Sequence, residues 1–329
     1  MIKTRFLNLG LLTAVLIAVL FGISFGETAL GWSDFAHALA DPSSGEGDVL
    51  WQIRLPRVLC ALFVGAALGL AGAVMQGLLR NPLAEPGVIG VSGTAAFTAA
   101  LAIVSGLAAV PGAVEVSALL GAAIAGVLLT VVGARLGAPE GLILFGVALS
   151  SFSGAATALI FNLSPSPIAT AEVMSWMLGS VANRSWFDVI WVASALIAAA
   201  FFAVLARQGL RMLTLGEDVA RASGLPLGQL RVCALLAAAV ASGAAVAVAG
   251  VIGFGGLAAP HLVRSAVRGD PGRVLLPSAL AGGLMLVLAD LATRLIPTDQ
   301  ELKLGVFTAL IGAPLFALIA WRAAKEWRL

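Results

Sequence analysis

The chain has 329 residues, of which 60% are hydrophobic and 11% charged, with a formal net charge of +2 and a mean hydropathy of +1.04. Soluble domains carry about 25% charged residues, so this composition excludes a soluble globular protein and predicts an all-α polytopic membrane protein. So small a net charge gives no indication of a nucleic-acid partner. We therefore expect one transmembrane domain over residues 1–329, surrounded by membrane lipid.

Apolar runs bounded by charges, prolines and glycine clusters predict about ten membrane spans. In chain order they lie near residues 6–25, 56–79, 92–107, 115–134, 141–162, 189–206, 230–250, 256–267, 274–296 and 305–321. The eighth run is too short to cross the roughly 30 Å hydrocarbon core, so we expect a half-buried or strongly tilted element there. The first run is longer than the hydrophobic region of a typical signal peptide, and we interpret it as a span.

Positive charges are distributed unevenly between the two predicted sides of the membrane. If the N-terminus is cytoplasmic, 14 of the Lys and Arg residues lie on the cytoplasmic side and five on the other. The five are Arg54, Arg57, Arg184, Arg294 and Lys303. Because positive residues are enriched in cytoplasmic loops, both termini are predicted to lie in the cytoplasm.

Two apolar segments, which begin at Arg57 and Arg231, have similar sequences. Each leads to a break that contains proline, NPLAEPG in one case and GLAAPHLVR in the other. In the predicted topology the two segments run in opposite directions, which is the pattern of an inverted repeat. Chance similarity in an Ala/Gly/Val-rich chain is the alternative interpretation.

A polar stretch, RNPLAEPGVIGVSG at residues 80–93, interrupts the apolar pattern after the second span. Pro82 and Pro86 both lack the backbone N–H group that a helix interior requires. Non-helical backbone at membrane depth is tolerated only where protein or a water-filled cavity satisfies it. The stretch therefore indicates either a functional bend within the bundle or an ordinary cytoplasmic turn.

The longest predicted cytoplasmic loop covers residues 207–229. Gly216 and Glu217 predict the start of a short helix, and Gly224 predicts its end. Arg221 follows Glu217 by four residues and lies on the same helix face. Such a helix can lie across the membrane surface and dock a soluble partner, whereas a solvated connector is the alternative.

Three arginines, Arg54, Arg57 and Arg294, are predicted at the opposite membrane face. Guanidinium groups bind carboxylates in a bidentate manner, so these side chains are suited to capture acidic groups of a partner. Asp290 precedes Arg294 by four residues, and the two could pair along one helix face. Anchoring at the membrane interface is the alternative role for the arginines.

Several function classes are disfavoured by residues that the sequence lacks. No GxxxxGK[ST] sequence occurs, so the chain has no P-loop for a nucleotide. The two histidines, His37 and His261, do not belong to a Cys/His cluster, so no metal centre is expected. Few carboxylates lie within the spans, which makes an ion-coupled secondary transporter less favoured than a permease powered by a separate ATPase. A catalytic dyad of Ser92 and His261, as in an intramembrane serine protease, is supported only by the four-residue sequence GVSG at residues 90–93.

Long segments of the chain resemble the permease subunits of the ATP-binding cassette importers for iron-siderophores, vitamin B12 and haem. In order, these segments are WQIRLPRVLCALFVGAALGLAGAVMQGLLRNPLAEPGVIGVSG (51–93), LGEDVARASGLPLGQLR (215–231), GVIGFGGLAAPHLVR (250–264), LLPSALAGGLMLVLADLATR (275–294) and ELKLGVFTALIGAPLF (301–316). The resemblance implies a ten-helix, vitamin B12 permease-like bundle in the bacterial inner membrane, without enzymatic activity. It implies no cofactor on this chain, since ATP and Mg²⁺ belong to the partner ATPase.

The resemblance also implies the partners of the chain. They are a second permease subunit, expected to be another copy of this chain, two ATP-binding subunits and a periplasmic substrate-binding protein. The cargo is expected to be a ferric siderophore, with cobalamin or haem as alternatives.

Site residues are implied by position within the matching motifs. Docking of the binding protein would use Arg54, Arg57 and Arg294. Coupling to the ATPase would use Gly216, Glu217, Ala220, Arg221, Gly224 and Leu225. The cytoplasmic gate would use Asn81, Leu83, Pro139 and Glu140, although Ala138, Pro139 and Glu140 replace a small, hydroxylic segment of the vitamin B12 permease. The pathway would be lined by residues that include Asn162 and Met174.

Overall fold

The computed structural model describes residues 2–26, 31–87, 89–136, 139–296 and 302–326 as α-helices joined by short connections. In chain order the helices are α1 (Ile2–Ser24), α2 (Trp32–Ala40), α3 (Gly45–Asp48), α4 (Leu55–Leu78), α5 (Val91–Val104), α6 (Ala113–Leu136), α7 (Pro139–Leu163), α8 (Pro167–Met177), α9 (Trp186–Leu213), α10 (Glu217–Ala222), α11 (Leu227–Ala249), α12 (Gly255–Arg264), α13 (Pro271–Leu295) and α14 (Leu304–Glu326). A π-helical segment (Val49–Arg54) continues α3 into α4, and a 3₁₀ turn (Leu107–Ala109) follows α5.

Each of the ten predicted spans coincides with a helix, namely α1, α4, α5, α6, α7, α9, α11, α12, α13 and α14. Seven helical stretches of the described chain are long and apolar enough to cross a membrane, and they include α1, α4, α6, α7, α9, α11 and α13. The predicted short eighth element is confirmed, because α12 has only 10 residues. One expectation is corrected: α5 has 14 residues, about 21 Å, and is also too short to span the core by itself.

α4 and α11 form the centre of the bundle. α4 packs against α9, α11, α12 and α13, and α11 also packs against α6 and α9. Glycines set the closest approach, since a Cβ atom on Gly65 or Gly69 would collide with the backbone of α13 at Gly282 or Ser278. Small residues permit such contact between helices where burial from lipid provides little driving force.

The connection between α4 and α5, here called the re-entrant segment (residues 79–87 and 89–90), folds back into the bundle. The Ser150 hydroxyl donates a hydrogen bond to the carbonyl of Gly87 at 3.2 Å, and a Cβ atom on Gly90 would lie 2.8 Å from Leu149. Leu149 lies ten residues after the start of α7 at Pro139, which is about 15 Å along the helix. The segment therefore reaches well into the membrane, and this is why α5 is short.

The bundle has two chemically distinct ends. The arginine end carries the starts of α4, α6 and α9 and the end of α13. A hydrogen bond of 2.9 Å from the Trp186 indole to the Trp51 carbonyl ties α9 to the π-helical segment that precedes α4. The coupling end carries α10 and the start of α13, where Arg211 pairs with Asp270 at 3.2 Å. The orientation of the two ends across the membrane stays a prediction from charge.

Candidate docking, coupling and pathway sites

The predicted docking arginines lie together at the arginine end, around the C-terminus of α1. Arg54 and Arg294 donate hydrogen bonds of 2.9 to 3.0 Å to carbonyl groups within residues 22–25. The last carbonyls of a helix lack partners within the helix, and its C-terminal dipole attracts cations. These two arginines therefore cap α1 and hold it against α4 and α13.

Asp290 connects two of the arginines. Its carboxylate lies 2.8 Å from Nη2 of Arg57 and 3.0 Å from Nη2 of Arg294, and its side chain is 2% exposed. The predicted Asp290–Arg294 pair is confirmed, whereas the link to Arg57 comes from another helix and was not predicted. We call Arg54, Arg57, Asp290 and Arg294 the arginine cluster.

The arginine cluster is more buried than a simple capture surface would be. Arg54 is 4% exposed, and the side chains of Arg57 and Arg294 are 13% and 3% exposed. The sequence therefore located the three arginines at one place but did not indicate that all of them have partners within the chain. Arg57 is the most accessible to an incoming carboxylate, and docking stays a prediction.

The loop predicted to couple to the ATPase contains a short helix, α10, as expected from its sequence, and the coupling role stays a prediction. Gly216 (φ +98°) precedes α10 and Gly224 (φ +80°) follows it, and both backbone conformations favour glycine. Ala220 is buried, and its carbonyl accepts a hydrogen bond of 3.1 Å from the N–H of Leu225. The helix is thereby fixed on one side, while Arg221 is exposed on the other.

The partner of Glu217 lies outside α10. The carboxylate of Glu217 accepts hydrogen bonds of 3.0 and 3.2 Å from Nη2 of Arg231 on α11. The side chains of Glu217 and Arg231 are 18% and 14% exposed. This ion pair joins α10 to α11, and the sequence did not indicate it.

The predicted gate residues lie at the coupling end, in two segments. Asn81 accepts a hydrogen bond of 2.9 Å from the backbone N–H of Leu83, which is 45% exposed. α7 begins at Pro139, and Glu140 is exposed in its first turn. Ala138 and the side chain of Pro139 lie outside the described residues, so the gate stays a prediction.

Glu85 is a site residue that the sequence did not reveal. Its side chain lies against the start of α12, where a Cβ atom on Gly256 would come within 3.6 Å of Glu85 Cγ, next to Phe254, which precedes α12 and has φ +65°. The free N–H groups and the dipole of a helix N-terminus attract a carboxylate. Glu85 therefore ties the re-entrant segment to α12, and its position as an acid inside a proline-containing break was the available signal.

A second polar contact joins α4 to α12. Gln76 is 2% exposed in α4, and its side-chain carbonyl accepts a hydrogen bond from the guanidinium of Arg264 at the end of α12. Buried polar groups require such partners. The polar position within the second span is thus part of helix packing.

The predicted pathway residues lie on surfaces that the rest of the described chain leaves uncovered. Asn162 is exposed in the last turn of α7, and Met174 is 57% exposed on α8. α7 also exposes Leu144 by 71%, Phe152 by 69% and Leu159 by 57%. This face is open to lipid or to another subunit.

Known proteins are similar to this chain over nearly its whole length. The model of the FecCD transport family matches residues 14–322. Two proteins named vitamin B12 import system permease protein BtuC, from Salmonella typhi and Salmonella newport (strain SL254), are each 40% identical over 322 residues, covering 97% of this chain and 95% of the relative. A solved structure described as an inward-facing conformation of a metal-chelate type ABC transporter superposes with a TM-score of 0.85 and 30% identity, covering 96% of this chain and 98% of that chain.

Proposed function

The chain belongs to the FecCD transport family and is a permease subunit of an ATP-binding cassette importer, and on this basis we propose that it carries cobalamin from the periplasm to the cytoplasm. The observation that carries the choice of cargo is the 40% identity, over 97% of the chain, to permeases named for vitamin B12 import. A ferric siderophore, the expectation from sequence, is the second candidate, supported by the likeness to a metal-chelate type transporter.

The proposed mechanism begins outside this chain, because ATP is bound by the partner ATPase. Closure of the ATPase dimer displaces α10, which follows α9 after a three-residue turn and is joined to α11 by the Glu217–Arg231 pair. Both α9 and α11 pack against α4, and α4 leads directly into the re-entrant segment with its gate residues Asn81 and Leu83. A rigid-body displacement of this kind is a common way to switch a transporter between outward and inward openings.

We propose that a second copy of this chain completes the pathway. The uncovered apolar face of α7 and the exposed surface of α8 would then meet their counterparts around a shared axis. Asn162 and Met174 would line this space together with small and apolar groups. A lining of that kind binds cargo weakly, so the cargo can leave once the inner gate opens.

Docking of the binding protein is proposed at the periplasmic arginine end. Arg57→Glu should weaken the association of the binding protein by about 2–5 kcal/mol, because a carboxylate of the partner would then face like charge. The dissociation constant can be measured for the complex in lipid nanodiscs. Lys303→Glu is the matched control, since it reverses a charge at the same end outside the arginine cluster. An unchanged dissociation constant for Arg57→Glu contradicts docking here.

Reconstituted transport tests the proposed function. Vesicles that contain the permease, its ATPase and ATP in the compartment of the ATPase should accumulate cobalamin that the binding protein delivers from the other side. Accumulation of a ferric siderophore without cobalamin would replace the first candidate cargo by the second. Uphill transport by the permease alone, without ATPase subunits, would contradict the importer mechanism.

A further inference from the structure

A cavity of about 730 Å³ opens at the arginine end, between α6, α9 and α11. Its floor consists of small side chains of α11, Ala244, Ala247 and Val248, while Val116 of α6 and Trp191 of α9 lie on its walls. A volume of this size is typical of a ligand site. The cavity is separate from the coupling element, the gate residues and the arginine cluster.

The walls of this cavity continue onto the exposed, apolar outside of the bundle. Val116 is 49% exposed, Phe187 is 62% exposed and Trp191 is 42% exposed, so large apolar surfaces continue from the cavity onto the outside of the bundle. Tryptophan is enriched at the depth of lipid head groups. The cavity is therefore open to an acyl chain from the membrane at this depth.

A compact polar group closes the outer end of the cavity. Nη1 of Arg184 lies 3.4 Å from Glu115 and 3.8 Å from Asp188, and the three side chains are 18%, 30% and 14% exposed. Nε of Arg184 is buried without a hydrogen-bond partner in the part of the chain that is described. One guanidinium is therefore set against two carboxylates, of which Glu115 is the more exposed.

We propose that the cavity binds a phospholipid whose head group carries a primary amine, phosphatidylethanolamine. The acyl chain would lie along the α11 floor and the phosphate would accept a hydrogen bond from Arg184. The ammonium group would donate to Glu115, since Oδ2 of Asp188 already accepts hydrogen bonds of 2.8 Å from the backbone N–H and the hydroxyl of Ser185. An anionic head group would face the two carboxylates with no cation of its own. A choline head group has no N–H donor to offer them.

Lipid retention by the purified, full-length chain tests this assignment. After delipidation, the chain is offered equal amounts of phosphatidylethanolamine, phosphatidylcholine and phosphatidylglycerol with identical acyl chains, and bound lipid is counted by native mass spectrometry. We expect about tenfold preference for phosphatidylethanolamine, the effect of one charge-assisted hydrogen bond. In the Glu115→Gln variant, retention of phosphatidylethanolamine should fall close to that of phosphatidylcholine.

Two tryptophan variants on α6 provide the matched control. Val116→Trp fills the cavity from its wall and should remove the retained lipid, while Leu120→Trp, one turn further along and 59% exposed, should leave it bound. Equal retention of all three lipids by the unmodified chain would overturn the proposal, as would equal retention by the two tryptophan variants. If Val116→Trp fails to fold, the Glu115→Gln comparison decides. The importer mechanism is independent of either result.

Discussion

Asp290→Ala is expected to lower the free energy of unfolding by about 3–5 kcal/mol, the usual cost of removing one partner from a buried ion pair. The side chain of Asp290 is 2% exposed, and its carboxylate lies within 3.0 Å of both Arg57 and Arg294. Its removal leaves two positive charges close together and largely out of water. The melting temperature of the purified chain in detergent measures the loss.

The control for this substitution is Asp48→Ala, which removes an exposed carboxylate at the same end of the bundle. Asp48→Ala should melt close to the unmodified chain, because exposed carboxylates contribute little. A double variant, Asp290→Asn with Arg57→Met, should recover part of the loss, since it removes a charge together with its partner. Equal melting temperatures for Asp290→Ala and Asp48→Ala would contradict the structural role of the cluster.

The arginine cluster also determines how docking experiments must be designed. Arg54 and Arg294 hold the end of α1, so reversing their charge would disturb the fold as well as any contact with a partner. Arg57 and Arg294 both pair with the Asp290 carboxylate, and Arg57 is the more exposed of the two. A loss of binding in Arg57→Glu is therefore attributable to docking only when the melting temperature shows that α1 is still in place.

The sequence predicted those features that depend on neighbouring residues along the chain. Hydropathy located the spans because about 20 consecutive apolar residues suffice to cross the hydrocarbon core. The Asp290–Arg294 pair followed from the four-residue spacing on one helix face. Gly216 and Gly224 marked both ends of α10, because positive φ angles favour glycine.

The features that were missed depend on contacts between distant parts of the chain. Hydropathy cannot show that α5 begins inside the membrane, since this follows from the packing of the re-entrant segment against α7. Glu85 meets the start of α12 and Glu217 meets Arg231 only after several helices have assembled. In each case a charged group found its partner in another helix, and no local spacing specifies that choice.

Glu217→Arg should reduce ATP-driven uptake by about tenfold or more, while the double variant Glu217→Arg with Arg231→Glu should restore most of it. The single variant places two cations together where the native pair lies at 3.0 Å, and a charge-assisted hydrogen bond is worth about 1.5–3 kcal/mol. The exchanged pair rebuilds the link between α10 and α11 with reversed polarity. Uptake and ATP hydrolysis are both measured in the reconstituted complex.

The double variant distinguishes two roles for Glu217. A link between α10 and α11 is restored when the two charges are exchanged, whereas a contact with the ATPase requires the negative charge on α10. If Glu217 acted by touching the ATPase, the double variant would stay as inactive as the single one. Arg221 supplies the contrast, since it is exposed on α10, and Arg221→Glu should impair uptake without rescue by Arg231→Glu. If Glu217→Arg still hydrolyses ATP but no longer takes up cargo, the defect lies in transmission of the motion through α11. Unchanged uptake in that variant would show that the pair has no part in coupling.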